Sequence, residues 1–143
     1  MSDPFSLRRF LDAQDAGGTY ETALAELRAG RKASHWMWFV FPQIAGLGRS
    51  SMAKMYAISS LAEARAYLQD PILGSRLLEA TRVVAERTGS TAEEIFGAID
   101  ATKLRSSMTL FARAAPTEPL FQSVLDRYFN GIPDEETDRR LPG

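Results

Sequence analysis

Cysteine is absent from these 143 residues. Disulfides, thiolate nucleophiles and cysteine-ligated metal or redox centres are thereby excluded. Histidine occurs once, as His35, so no polyhistidine metal site can be assembled. No run approaches the roughly 20 apolar residues of a transmembrane helix. The opening residues, Met-Ser-Asp-Pro-Phe-Ser-Leu-Arg-Arg, lack the apolar core of a signal peptide. A cytoplasmic protein without a membrane partner is therefore expected. The net charge of −1 makes no case for nucleic acid as a partner. Strand signals are scarce as well. Trp38 to Phe41 is β-prone, but one short run cannot build a sheet, and it reads as a buried helical turn or an extended connector ending at Pro42.

One further absence is local. Between Leu27 and Ala62 there is no Asp or Glu, while Arg28, Arg31, Lys32, Arg49 and Lys54 all fall there. A block of one sign favours an anionic partner. The plainer reading is chance spacing on a solvated surface.

What is present is the composition of an ordinary globule, 45% hydrophobic and 24% charged, at single-domain length. The punctuation is helical almost throughout. Asp3-Pro4 and Asp70-Pro71 each combine an N-cap with a proline at the first helical position. Ser60-x-x-Glu63 and Ser90-x-x-Glu93 fit capping boxes, Thr19 and Asp100 are further caps, and Gly17-Gly18, Gly30, Gly89 and Asn130-Gly131 are stops. The helix opened by Asp70 is expected to be the longest. An all-α fold follows, a single compact domain of about seven helices over residues 1–143, with residues 133–143 a charged, frayed tail. The tail acids Asp134, Glu135, Glu136 and Asp138 read as solvated charges rather than as a divalent-ion site.

The densest chemistry lies between Ser34 and Ser51. His35, Trp36 and Trp38 are followed by Gln43 and by the turn Gly46-Leu-Gly48-Arg49-Ser50-Ser51. Glycines let backbone approach a ligand, and a helix N-terminus favours an anion. The turn is neither a Walker motif nor a dinucleotide fingerprint, because no Gly-Lys-Ser/Thr and no strand–turn–helix unit accompanies it. Its plainer reading is a tight turn with Ser50 or Ser51 as an ordinary N-cap. His35 suits general acid–base work near neutral pH; the alternative is a partly buried imidazole bonded to backbone. Asp100, Lys103 and Ser107 share one helical face, opposite Leu104, Met108 and Phe111, and would line a polar cleft or simply face water. Trp36 and Trp38 would stack on a planar ligand or fill the core.

Taken together, Ser34-His-Trp-Met-Trp-Phe-Val-Phe-Pro-Gln43, Gly46-Leu-Gly48, Tyr56-Ala-Ile, Glu63-Ala-Arg-Ala-Tyr-Leu68 and Asp100-x-x-Lys103-Leu-x-Ser-Ser-Met-Thr-Leu-Phe111 resemble the bacterial family catalogued as domain of unknown function 1810. The resemblance runs from Phe10 to Asp134. It implies a mainly helical fold and no assigned activity, so it carries no catalytic residues over. Some members bear the name calpastatin. Calpastatin inhibitory segments are disordered, and the capped helices of this chain argue against that name.

Two functions follow as expectations. In the first, a small anionic ligand such as a nucleotide or sugar phosphate binds between His35, Trp36, Trp38 and Gln43, the Gly46, Gly48, Arg49, Ser50 and Ser51 loop, and the Asp100–Ser107 face. In an enzyme His35 would be the acid–base, Lys103 or Arg49 would hold the anion and Asp100 would orient a partner; no cofactor and no metal is implied. A nicotinamide- or ADP-ribose-like ligand would use the same stacking and phosphate contacts. In the second, the chain is a noncatalytic, homo-oligomeric interaction module whose polar motif residues brace the fold.

Overall fold

A computed structural model describes residues 3–141. Local chemistry sets most of its helix boundaries. The Asp70 carboxylate accepts from the amides of Ile72 and Leu73, and Pro71 opens the helix. Pro119 does the same under a Glu118 cap, and Asn130, in the left-handed region, ends that helix. In chain order the helices are α1 (Arg8–Asp15), α2 (Thr19–Ala29), α3 (Met37–Val40), α4 (Ser51–Met55), α5 (Leu61–Gln69), α6 (Pro71–Glu86), α7 (Ala92–Phe96), α8 (Ala98–Ala114), α9 (Pro119–Phe129) and α10 (Glu135–Arg140). A 3-10 turn over Ala16–Gly18 joins α1 to α2.

The described residues are thus all-helical in one domain, with nine helices of five residues or more and the single turn α3, rather than about seven. The two that the sequence did not assign are instructive. Met37–Val40 is a helical turn because Trp36 O accepts from the amides of Phe39 and Val40. The tail is not frayed over 135–140. Asp134 caps α10 through the amide and hydroxyl of Thr137 and also accepts from Ser106 Oγ on α8. Pro142 and Gly143 lie outside the described residues. The one β-like contact among the described residues is a parallel bridge between Ile44 and Ile58.

Several caps shift. Asp3 stands outside α1, where its carboxylate accepts from the amides of Leu7 and Arg8. Thr91 with Glu94, not Ser90 with Glu93, forms the capping box of α7. Gly97 precedes α8, so Asp100 sits inside its first turn instead of capping it. Gly18 likewise takes the N-cap place of α2, with Thr19 as the first helical residue. The longest helix is α8, by one residue over α6.

Helix α8 is the axis of the molecule. It packs against α5, α7, α9 and α10, while α6 packs against α2, α5 and α9. From Ser106 to Ala112 every residue of α8 is buried, so this stretch has no solvent face. Two of its three hydroxyls bond back along the helix, Ser106 Oγ to Thr102 O at 3.1 Å and Thr109 Oγ1 to Arg105 O at 2.8 Å, while the buried Ser107 Oγ has no hydrogen-bond partner among the described residues. Its own Phe111 packs among Phe10, Trp36, Phe41, Tyr67 and Phe121, all fully buried. Each such ring contributes about 1.5–3 kcal/mol by leaving water.

Two buried polar knots close the remaining seams. Gln14 Nε2 donates to Phe39 O at 2.8 Å and to Tyr67 Oη at 3.1 Å, tying α1 to α3 and α5. Arg9 donates to the carbonyls of Met55 and Ala57 and pairs with the buried Glu63 at 3.0 Å. Glu63 therefore does not return to the Ser60 amide as a full capping box requires; its other oxygen takes the amide and hydroxyl of Ser59.

Candidate functional site

Glu26 lies in the last turn of α2, where the helix dipole disfavours an acid. Its place there is explained by the loop that follows. Its carboxylate accepts from the amides of Ala33 and Ser34 at 2.8 and 3.0 Å, from Ser34 Oγ, and from Trp36 Nε1 at 2.8 Å. Burial pushes this carboxyl up, but the bonds from Ser34 Oγ, the Ala33 amide, Trp36 Nε1 and the Ser34 amide outweigh it and bring it down to about 2. The clamp fixes residues 33–36 and turns Trp36 inward. There the indole meets Phe41 and Phe96, with ring centroids 6.3 and 6.5 Å away.

The same loop delivers Lys32. Its amide donates to Ile95 O at 2.7 Å, so the backbone is pinned beside α7. Its ammonium reaches Asp100 Oδ2 at 2.8 Å and Ser34 O at 2.5 Å, over the face of Trp36. One turn along α8, Lys103 Nζ stands 3.2 Å from Asp100 Oδ1 and 5.0 Å from the centroid of Trp38. Asp100 thus bridges two lysines, each ammonium lying over a tryptophan.

These groups edge a cleft of about 440 Å³ between the α2–α3 loop and the start of α8. Its apolar lining is Met37, Trp38, Phe96 and Ile99; its polar lining is Lys32, His35, Asp100 and Lys103. Gly97 and Ala98 complete it, and no side chain caps α8 at this point. That volume falls within the range of small-molecule sites. His35 is exposed at the edge. The two oxygens of Asp100 face Lys32 and Lys103, and no hydrogen bond joins Asp100 to His35 among the described residues.

Of the residues singled out in the sequence, the structure brings together His35, Trp38, Asp100 and Lys103. It leaves the others elsewhere. Trp36 is fully buried behind the cleft. Gln43 O accepts from the Ile58 amide at 2.8 Å in the bridge beside α4. Gly46 packs on Arg140, whose guanidinium occupies the space a Cβ would need, and Gly48 packs on Ala53. Ser50 Oγ caps α4 through the Ala53 amide at 3.1 Å, which is the plainer of the two readings of that turn. Arg49 and Ser51 are exposed there. Ser107 is fully buried in the core, because neighbouring helices surround α8 beyond Lys103 and close the expected polar face.

Sequence reasoning missed Glu26, Met37, Phe96 and Ile99, and it noted Lys32 only as a unit of charge. Glu26 alone left a local signal, an acid at the wrong pole of its helix.

The fold and cleft define a small all-helical domain with a ligand-sized surface site and no strand framework among the described residues. The chain belongs to the family described as protein of unknown function (DUF1810), whose profile matches residues 4–141. It is similar to the conserved hypothetical protein Rv1873 from Mycobacterium tuberculosis, at 52% identity over 97% of this chain and 98% of that one, with a TM-score of 0.94. No curated protein matches it. Among the described residues no helix is long and apolar enough to cross a membrane.

Proposed function

We propose that this protein binds a small anionic ligand in the cleft between the α2–α3 loop and α8. The observation that carries the reading is Lys103. Its ammonium has one carboxylate oxygen as partner at 3.2 Å, lies over Trp38 and opens on a cleft of ligand size beside His35. Asp100, itself paired with Lys32, holds that ammonium in place, which lowers the cost of ordering it on binding. The Gly46–Ser51 turn takes no part in this reading. Binding fits better than acid–base catalysis, since Asp100 pairs with the lysines and not with His35.

A thermal-shift panel of carboxylates, nucleotides, sugar phosphates and their uncharged analogues tests it. A ligand bound only by the folded state raises the melting temperature as its concentration passes Kd. An anion is expected to do so for the wild type and not for a Lys103→Gln, His35→Ala variant. Equal responses of the two proteins would count against the cleft.

The interaction-module reading rests on Ile99, which is 73% exposed at the edge of the cleft. Under it, an Ile99→Lys substitution changes the sedimentation coefficient of the protein and leaves small-anion responses untouched.

A further inference from the structure

We infer that the cleft's ligand is a monocarboxylate borne on a flat apolar body, not a phosphate ester. This rests on the anion-binding reading and names the class of ligand for it.

Charge is the first argument. Lys32, Lys103 and Asp100 together carry one net positive charge. Lys32 is used up internally: its ammonium serves Asp100 and Ser34 O, and its side chain is only 7% exposed. Lys103 has three donors and one charged partner. One available cation balances one negative charge. A phosphate monoester brings about −1.5 to −2 at neutral pH and would leave excess negative charge in a half-buried site beside Asp100.

The choice of cation agrees. Basic residues in this chain are arginine fourteen times and lysine three times, yet two of the three lysines line this cleft and no arginine does. Arginine's rigid fork with several donors suits a multi-oxygen phosphate. A single ammonium suits one carboxylate.

Volume and lining are the third argument. A bare anion is the size of a few waters and would leave most of the cleft of about 440 Å³ unfilled. The large apolar side chains of the wall are Met37, Trp38, Phe96 and Ile99. A flat ring against Trp38 and Phe96, with its carboxylate on Lys103, uses both kinds of surface.

Three compounds with one body separate the possibilities: 1-naphthylacetate, 1-naphthylacetamide and 1-naphthyl phosphate, titrated into the whole protein and followed by two-dimensional amide and indole NMR. The acetate is expected to move the Trp38 indole signal and the amides of Ala98 and Ile99. The Trp36 indole, locked on Glu26, should stay and so reports an intact fold. The acetamide should bind at least about tenfold more weakly, the usual loss for a charged hydrogen bond. The phosphate should also bind more weakly than the acetate. Lys103→Gln should weaken the acetate about tenfold, with the Trp36 signal unchanged. Tighter binding of the phosphate than the acetate would overturn the carboxylate assignment and leave anion binding standing. Equal affinity for acetate and acetamide, or no loss in Lys103→Gln, would overturn the charge pairing. No movement of the cleft signals with any of the three would sink this inference, whereas the wider anion-binding reading falls only if the thermal-shift panel is silent too.

Discussion

Lys32 Nζ meets Asp100 Oδ2 at 2.8 Å with only 7% of the lysine side chain and 19% of the aspartate exposed. This pair joins the loop after α2 to the first turn of α8, and through Asp100 Oδ1 it holds Lys103 at the mouth of the cleft. A half-buried pair of this kind is costly to break on one side, because the surviving charge keeps its desolvation penalty.

Asp100→Asn should accordingly lower stability by about 1–3 kcal/mol. Lys32→Met should cost less, and the double variant less than the sum. A double-mutant cycle by urea unfolding measures this, with an expected coupling of about 1–2 kcal/mol. Strict additivity would mean that the two groups do not stabilise one another.

Glu26 gives a pH dependence with a definite sign. Its folded value of about 2 lies below its ordinary 4.5. A depressed carboxyl contributes stability that is fully present above the unfolded value and is lost as pH falls through the folded one. The melting temperature should therefore drop between about pH 4.5 and 2. Glu26→Gln should destabilise the protein at neutral pH by about 1–3 kcal/mol and flatten the acid limb. An unchanged acid limb in the variant would assign the drop to other carboxylates.

Gly74 inverts an ordinary helix rule. In the interior of α6, alanine would normally be about 1 kcal/mol better than glycine. Here a Cβ would lie 2.1 Å from Leu68 O, a backbone atom of α5 that cannot swing aside. Gly74→Ala should therefore destabilise, by about 1–3 kcal/mol, as overpacking does. Chemical denaturation reads the sign directly, and a gain in stability would show that α5 and α6 can part freely.

Asp134 anchors the last described helix. It caps α10 through Thr137, accepts from Ser106, and its own amide donates to Thr109 Oγ1 at 2.8 Å. Asp134→Ala should cost about 0.5–2 kcal/mol, the range for a lost cap. Its signature should be local: faster amide hydrogen exchange over 135–141 with little change in α6. Uniformly faster exchange would indicate a global rather than a local loss.

The parts of the molecule legible in sequence are those whose cause is local. Asp70-Pro71 starts α6 because the cap and the proline act on amides two and three residues away. Asn130 stops α9 because few other residues accept a positive φ. Boundaries slipped where two neighbours compete, as with Ser90 and Thr91. Asp134 looked like solvated charge because its partners, Ser106 and Thr109, lie on α8, beyond the reach of any local rule.

The candidate site divides in the same way. That Ser34–Ser51 is dense in chemistry, and that Asp100 and Lys103 share a face, follows from residue types and helical spacing alone. Which of these groups converge was decided by packing. Glu26 turns Trp36 into the core while Trp38, two residues on, lines the cleft. Neighbouring helices bury Ser107 but leave Lys103, one turn earlier, at the surface. The Gly46–Ser51 turn packs on Arg140 and Ala53 instead. Sequence by itself determined the helical class, the stops, the Ser60 and Asp70 caps, and the family, because these depend on neighbours along the chain. Only the tertiary structure decided the site, because the cleft is made by the mutual placement of the α2–α3 loop, α3, α7 and α8, and that placement minimises exposed apolar surface over the whole chain at once.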